Sequence, residues 1–364
     1  MGEENKLSSK QIRALVVSTA VGIGILTLPN RIAIANGNDG WITIILSGLL
    51  VIPIIMVMDR IFKMYPNKDF FTIGREVLGK WVFNIFLIIF FIYFIVLMSN
   101  IVRNLGELIK AFLLETTPVE VLIISFVLVT SYIARDNIQI IGRAAYFIYP
   151  LILSFVIFLF LVILPEIDFT NVLPVFQSDF SKIPKGIEIA FFSYIGYEIL
   201  LFALPYAEKK EDNLRASLTG LGIVILIYTL IFLLTLAQYG VHSLRRQTFP
   251  TLSLVKEVDL PGYFIENLDG LVMAFWVLIV FSTMAAFYYA SGIVLSQLFN
   301  TKDHGLFILP IAPIVYIISL IPRNVITLYD SLGRYTNYLG FVTIVVMPFV
   351  IYFIGLFKTR RQNK

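Results

Sequence analysis

Apolar runs of about 20 residues, the length a helix needs to cross roughly 30 Å of hydrocarbon, recur along the whole of this sequence. They lie at about 14–34, 41–62, 81–106, 117–134, 142–165, 185–206, 215–239, 268–298, 305–322 and 334–357. Inside a bilayer every backbone N–H and C=O must be paired within the protein, so such runs read as helices. The fourth and ninth are short. Charged residues make up 14% of the chain and hydrophobic ones 58%, whereas a soluble domain carries about a quarter charged residues. The chain is therefore expected to be an all-α integral membrane protein of about ten transmembrane helices in a single domain, and an ordinary soluble enzyme is excluded.

Lys and Arg set the expected orientation. With the N-terminus inside, 18 of the 28 Lys and Arg fall in cytoplasmic segments or at their span ends. The bias rests mostly on "RIFKMYPNKDFFTIGREVLGK" and the tail "KTRRQNK", about 358–364, and it puts both termini in the cytoplasm. The polar, basic first thirteen residues lead into a run with no small-residue cleavage site, so the first helix is expected to be retained. The absence of cysteine excludes disulfides and thiolate metal sites. Two connections are long enough to be structured. Residues 67–80 have helical spacing suited to an in-plane surface helix. The outer loop 241–270, with turns marked by Pro250, Pro261 and Gly262, is either a lid or docking surface or a solvated connector.

Ten spans divide into two fives, a first repeat at about 11–165 and a second at about 185–357. The first span carries "VGIGILTLP" with Gly22 and Gly24. The sixth carries "SYIGYEILLFALP", with Gly196 mid-span and Glu198 two residues on. Interrupted helices at matching positions of two halves point to a transporter-type binding site. Glycine permits unwound backbone, and unwound backbone exposes N–H and C=O groups that a zwitterionic amino acid can satisfy. Residues 21–25 and 193–198 are thus candidates for the two halves of one small-ligand site, with spans one and six both broken. The other reading is that the glycines let neighbouring helices approach closely.

Glu198 is the acidic residue placed deepest in a span, and intramembrane carboxylates are functional candidates by default. Its possible roles are to hold a ligand ammonium, to carry a proton, or to fix the kink. Ser99, Asn100, Arg103, Asn104 and Glu107 share one face of span three, and Arg103 and Glu107 stand at i,i+4, where they can pair. Tyr93 is placed to cap a pocket. Span eight adds Ser282, Thr283, Tyr288, Tyr289 and Ser291, without a charge. His242 and His304 have no carboxylate or cysteine company at metal-ligand spacing. No nucleotide-binding loop or Ser/His/Asp arrangement is present, so neither an enzyme nor a cofactor is expected. No basic stripe favours nucleic acid, and the expected surroundings are membrane lipid.

The stretches "VGIGILTLP", "DGWITIILSG" (39–48), "GREVLGKWV" (74–82), "SYIGYEILLFALP", "FPTLSLVKEVDLPGYFIENLDG" (249–270) and "YTNYLGFV" (335–342) together resemble the B subunits of bacterial endospore nutrient germinant receptors. The resemblance runs in order along nearly the whole chain. It implies a fold like that of permeases of the amino acid–polyamine–cation superfamily, with a five-plus-five inverted repeat. It also implies residence in the spore inner membrane beside A and C subunits, and a small nutrient, often an amino acid, as germinant. Carried onto this chain, the permease substrate position falls at Gly22, Ile23, Gly24 and Thr27 in span one and at Tyr194, Ile195, Gly196, Tyr197 and Glu198 in span six. Tyr93 and Tyr289 match tyrosines that line the cavity. A proton-coupled amino acid permease is the alternative to a sensor.

Overall fold

The computed structural model describes residues 6–165, 167–177, 179–256 and 268–362. The regular elements among them are helical, apart from an isolated parallel bridge between Leu7 and Ala207. In chain order the α-helices are α1 (Ser9–Asn36), α2 (Gly40–Met64), α3 (Phe70–Leu78), α4 (Lys80–Phe112), α5 (Val119–Ala134), α6 (Ile138–Ile163), α7 (Ile183–Ser193), α8 (Leu200–Ala203), α9 (Asn213–Leu244), α10 (Pro250–Lys256), α11 (Leu268–Leu298), α12 (Gly305–Leu320), α13 (Val325–Leu328), α14 (Arg334–Gly340) and α15 (Met347–Gln362). Each of the ten apolar runs falls on one of these helices or on a short series of them. Six helical stretches among the described residues are long and apolar enough to cross a membrane, seven when the bent α7–α8 pair is included. The short fourth and ninth runs form helices of 16 residues each.

Local chemistry explains the helix ends. Ser8 caps α1: its hydroxyl accepts from the Gln11 N–H while Gln11 returns a side-chain acceptor to the Ser8 N–H, a reciprocal capping box. The amphipathic stretch after α2 does form a helix. Asp69 caps α3 through the Thr72 N–H at 2.7 Å, and Gly79 ends it at φ +82°, where a left-handed backbone favours glycine. Lys68 and Glu76 pair along its flank.

Two ends of the bundle are defined by cross-links. At one end, the Leu7 N–H donates to Tyr206 O and the Glu208 N–H to Leu7 O. Arg75 reaches Gln297 O and Lys358 reaches Glu76 O at this same end. At the opposite end, Asn38 donates to carbonyls of residues 171–173, Asn30 to Leu244 O, and Arg245 to Ala33 O. Between these ends, α1 packs against α6, α7, α9 and α11. Within its most apolar window α11 is 72% buried, against 33% for α6, so α11 belongs to the centre and α6 to the periphery. Large apolar side chains on outward faces, such as Trp81, Phe147 and Phe357, are left for lipid.

The two spans expected to be broken differ. The sixth is interrupted: α7 stops at Ser193, a turn follows, and the chain resumes at Tyr197 with a 49° bend. Gly196 stands at φ +133°. The first span is not broken, which corrects the expectation for Gly22 and Gly24. α1 runs as one helix from Ser9 to Asn36, and neither glycine has left-handed backbone. A Cβ on Gly22 would lie 2.0 Å from Thr283 Oγ1; one on Gly24 would lie 2.4 Å from the Tyr228 hydroxyl and 2.5 Å from Ser193 O. Their role here is small size at helix contacts.

Candidate functional site

The break in span six is held by the protein's own polar groups. Glu198 is fully buried. Its Oε2 accepts the Gly196 N–H at 2.7 Å and its Oε1 accepts the Tyr93 hydroxyl at 2.6 Å. The Gly196 carbonyl lies 3.0 Å from Thr19 Oγ1 on α1. From α9, the Tyr228 hydroxyl stands 2.7 Å from Ala20 O and 2.8 Å from Ser193 O. The Gly196 N–H, which would be costly to leave unpaired in a membrane interior, thus has the Glu198 carboxylate as its partner, while the single proton of the Tyr228 hydroxyl serves one of its two neighbouring carbonyls at a time. A Cβ on Gly196 would come within 2.6 Å of Thr19 backbone, so the broken span lies directly on α1.

The same rule accounts for the proline in α1. Pro29 has no N–H, so it offers the Ile25 carbonyl, four residues earlier, no helical donor. Thr251 of α10 fills the gap, its hydroxyl donating to Ile25 O at 2.8 Å. Phe249, Thr251, Leu252 and Leu254 are buried around this contact. The described part of the outer loop that forms α10 therefore docks into the bundle; its continuation, 257–267, falls outside the described residues.

Beside the break lies a cavity of about 1090 Å³, bounded by α1, α2, α4, α7 and the segment from Tyr329 to Phe349. That segment contains two wide, π-helical turns, Tyr329–Gly333 and Phe341–Val346, a form often found at functional sites. The volume is at the upper limit of small-molecule pockets, about 300–1,000 Å³. Gly24 and Thr27 on α1 and Ile195 at the break line it, together with Thr19, Asn100 and Ser193.

Other residues expected at the site lie behind this wall. Gly22 packs on Thr283. Tyr194 donates to Ile44 O at 2.9 Å and stacks at a tilt on Tyr228. Tyr93, Gly196, Tyr197 and Glu198 form the buried structure of the break and are not among the cavity-lining residues. Tyr289 is apart from the cavity: it packs edge-on to His304, 5.1 Å between ring centroids. The side chain of Ile23 lies outside the described residues.

The polar stripe on α4 is present and largely buried. Arg103 pairs with Glu107 at 2.7 Å, as their spacing predicts. Asn104 donates to Asn100 Oδ1 at 2.8 Å and accepts from the Tyr329 hydroxyl at 2.8 Å. Sequence reasoning missed Arg31, Glu188, Tyr329 and Arg334 as cavity residues. Arg31 directly follows the "LPN" that closes span one and counts there as a loop charge. Tyr228 was also missed, although the adjacent hydroxyl residues Tyr228 and Thr229 inside the apolar "VILIYTLIF" were a usable signal.

Comparison with known proteins matches this architecture. The chain is 28% identical to spore germination protein A2 of Bacillus subtilis, over 99% of this chain and 98% of that protein. It is 26% identical to spore germination protein GerLB of Bacillus cereus, over 99% and 96% respectively. Among solved structures, MhsT in complex with L-phenylalanine superposes with a TM-score of 0.68 over 98% of this chain and 99% of its own, at 13% identity. The nucleobase-cation-symport transporter Mhp1 gives 0.67 over 94% and 80%, at 14% identity. These similarities establish the fold as a transporter fold. Residues 6–327 match the profile of the family described as spore germination protein, and the chain belongs to that family.

Proposed function

We propose that this protein is the membrane subunit of a spore germinant receptor that binds a small nutrient, an amino acid, in the cavity beside the break, and signals through partner A and C subunits. The observation that carries the reading is the cavity itself, about 1090 Å³ between α1 and the interrupted span six, in a chain of a spore germination family with a transporter fold. MhsT, of similar fold, is described in complex with an amino acid. In this reading the protein resides in the spore inner membrane with both termini cytoplasmic. Binding would bias the bundle between two states; reversing a 1:99 population needs a preference of about 5.5 kcal/mol.

The alternative is a proton-coupled amino acid permease. The fold favours it, but the residue it would use does not: both Glu198 oxygens are committed to Tyr93 and Gly196, and the carboxylate is off the cavity wall. The deciding experiment places the purified protein in liposomes with labelled amino acids and follows binding and uptake, with and without an imposed pH gradient. Saturable binding without accumulation is expected. Gradient-driven accumulation would make the protein a permease.

A further inference from the structure

The cavity wall carries charges that the broken helix does not explain. Arg31 enters it from α1, Glu188 from α7 and Arg334 from α14. None of the three belongs to an ion pair among the described residues, where the pairs are Lys63–Asp59, Lys68–Glu76, Arg103–Glu107 and Lys182–Asp179. Arg31 is instead held by an aromatic face: its guanidinium carbon lies 5.7 Å from the centre of the Tyr329 ring. That ring is anchored through its hydroxyl to Asn104. Stacking on a ring face orients a guanidinium while leaving its N–H donors for a carboxylate.

The register of α1 against α7 places Arg31 and Glu188 in the same stretch of this helix pair. Gly24 meets Ser193 near the break, and Asn36 meets Gly186 toward the far end. Along α1, Arg31 lies between those two contacts; along α7, Glu188 does. Two opposite charges therefore line one cavity, from neighbouring antiparallel helices, without forming an ion pair among the described residues. Such an arrangement suits a ligand that brings both charges at once.

We infer that Arg31 and Glu188 are the recognition pair for an amino acid zwitterion, with the guanidinium taking the α-carboxylate and the Glu188 carboxylate taking the α-ammonium. This rests on the reading of the cavity as a nutrient site and deepens it, moving the charge-recognising groups from the unwound backbone to these side chains. With two arginines and one glutamate on the wall, the carboxylate of the ligand contributes more than its ammonium. Arg334 adds a second positive charge from α14 that strengthens this asymmetry.

The test uses the full chain in lipid nanodiscs. The twenty common amino acids are screened by thermal shift, with D-glucose and inosine as uncharged probes. The amino acid that binds is compared with its methyl ester, which lacks the negative charge, and its α-hydroxy analogue, which lacks the ammonium. Wild-type protein is expected to reject both, the ester more strongly. R31Q is expected to weaken amino acid binding on the order of tenfold to a hundredfold and to abolish discrimination against the ester. R31K, which keeps the charge, is expected to recover part of the loss. E188Q is expected to abolish discrimination against the hydroxy acid, with a smaller overall loss. N337W, which fills the cavity from α14, reports whether binding is in the cavity at all, and monodisperse elution confirms that each variant folds. If N337W blocks amino acid binding while R31Q and E188Q keep both discriminations, the cavity reading stands and the recognition pair is wrong. If N337W leaves binding intact, the cavity reading fails and takes the pair with it. Cavity binding by glucose or inosine alone overturns the pair and the amino acid assignment together.

Discussion

Spans one and six carry the same ingredients, glycine in mid-membrane and a Leu-Pro close to the end, "ILTLP" and "LFALP", yet one remains a helix and the other does not. At Gly196 the backbone turns to φ +133°, and the groups of this residue find new partners: the Glu198 carboxylate accepts the N–H, and the carbonyl lies beside the Thr19 hydroxyl and the Ile199 N–H. At Gly22 and Gly24 the backbone stays helical, and the missing Cβ atoms are replaced by Thr283 and Tyr228 pressing against the helix. Glycine permits a break, but the alternative hydrogen-bond partners make one. Where those partners are absent, the same residue provides closeness.

This contrast is open to direct attack, most severely at the break. Gly196→Ala must hold a side chain at a left-handed backbone and set its Cβ 2.6 Å from Thr19 main chain. Left-handed strain and overpacking against backbone together are expected to cost about 3 kcal/mol or more, measured by chemical unfolding in mixed micelles. The same change at Gly22 first meets the Thr283 side chain, and not backbone. Gly22→Ala is expected to cost about 1–3 kcal/mol, and Thr283→Ala in the same chain is expected to restore part of it. An equal penalty at both glycines would show that the two spans do not differ as described.

The polar tie of the break comes next in size. Glu198→Leu leaves the Gly196 N–H and the Tyr93 hydroxyl without their acceptor and is expected to cost about 2–4 kcal/mol. Glu198→Gln keeps one oxygen for Gly196 and offers Tyr93 an N–H to accept, so about half that loss or less is expected. Tyr93→Phe should destabilise the wild-type protein and add little to Glu198→Leu, a coupling that a double-mutant cycle measures. Independent effects of the two substitutions would remove Glu198 from its role as the tie.

What could be read in the sequence follows the range of the forces involved. Hydropathy placed all ten runs on helices because lipid acts on each span by itself. The Arg103–Glu107 pair was legible because four residues along a helix make neighbours. The break at Gly196 was legible because Glu198, one of its partners, is two residues away. The state of Gly22 was not, because Thr283, which decides it, sits 261 positions along the chain, and freedom and smallness are the same letter. Arg31 was missed for a similar reason. At the end of an apolar run it reads as a solvated charge, and only α14, α7 and the Tyr329 ring turn its surroundings into a cavity wall.

The subtlest test of the comparison concerns the unbroken span. If α1 remains a helix because neighbours repair its local defects, the Pro29 gap should behave as a repaired defect. Thr251→Val removes the hydroxyl that reaches Ile25 O and is expected to cost about 1 kcal/mol. Pro29→Ala restores an N–H four residues beyond Ile25, so the helix can satisfy that carbonyl itself. In the Pro29→Ala background the Thr251→Val penalty should therefore shrink toward zero. A penalty that persists would mean that Thr251 holds α10 by packing alone, and α1 would then owe its continuity to something other than its neighbours' hydrogen bonds.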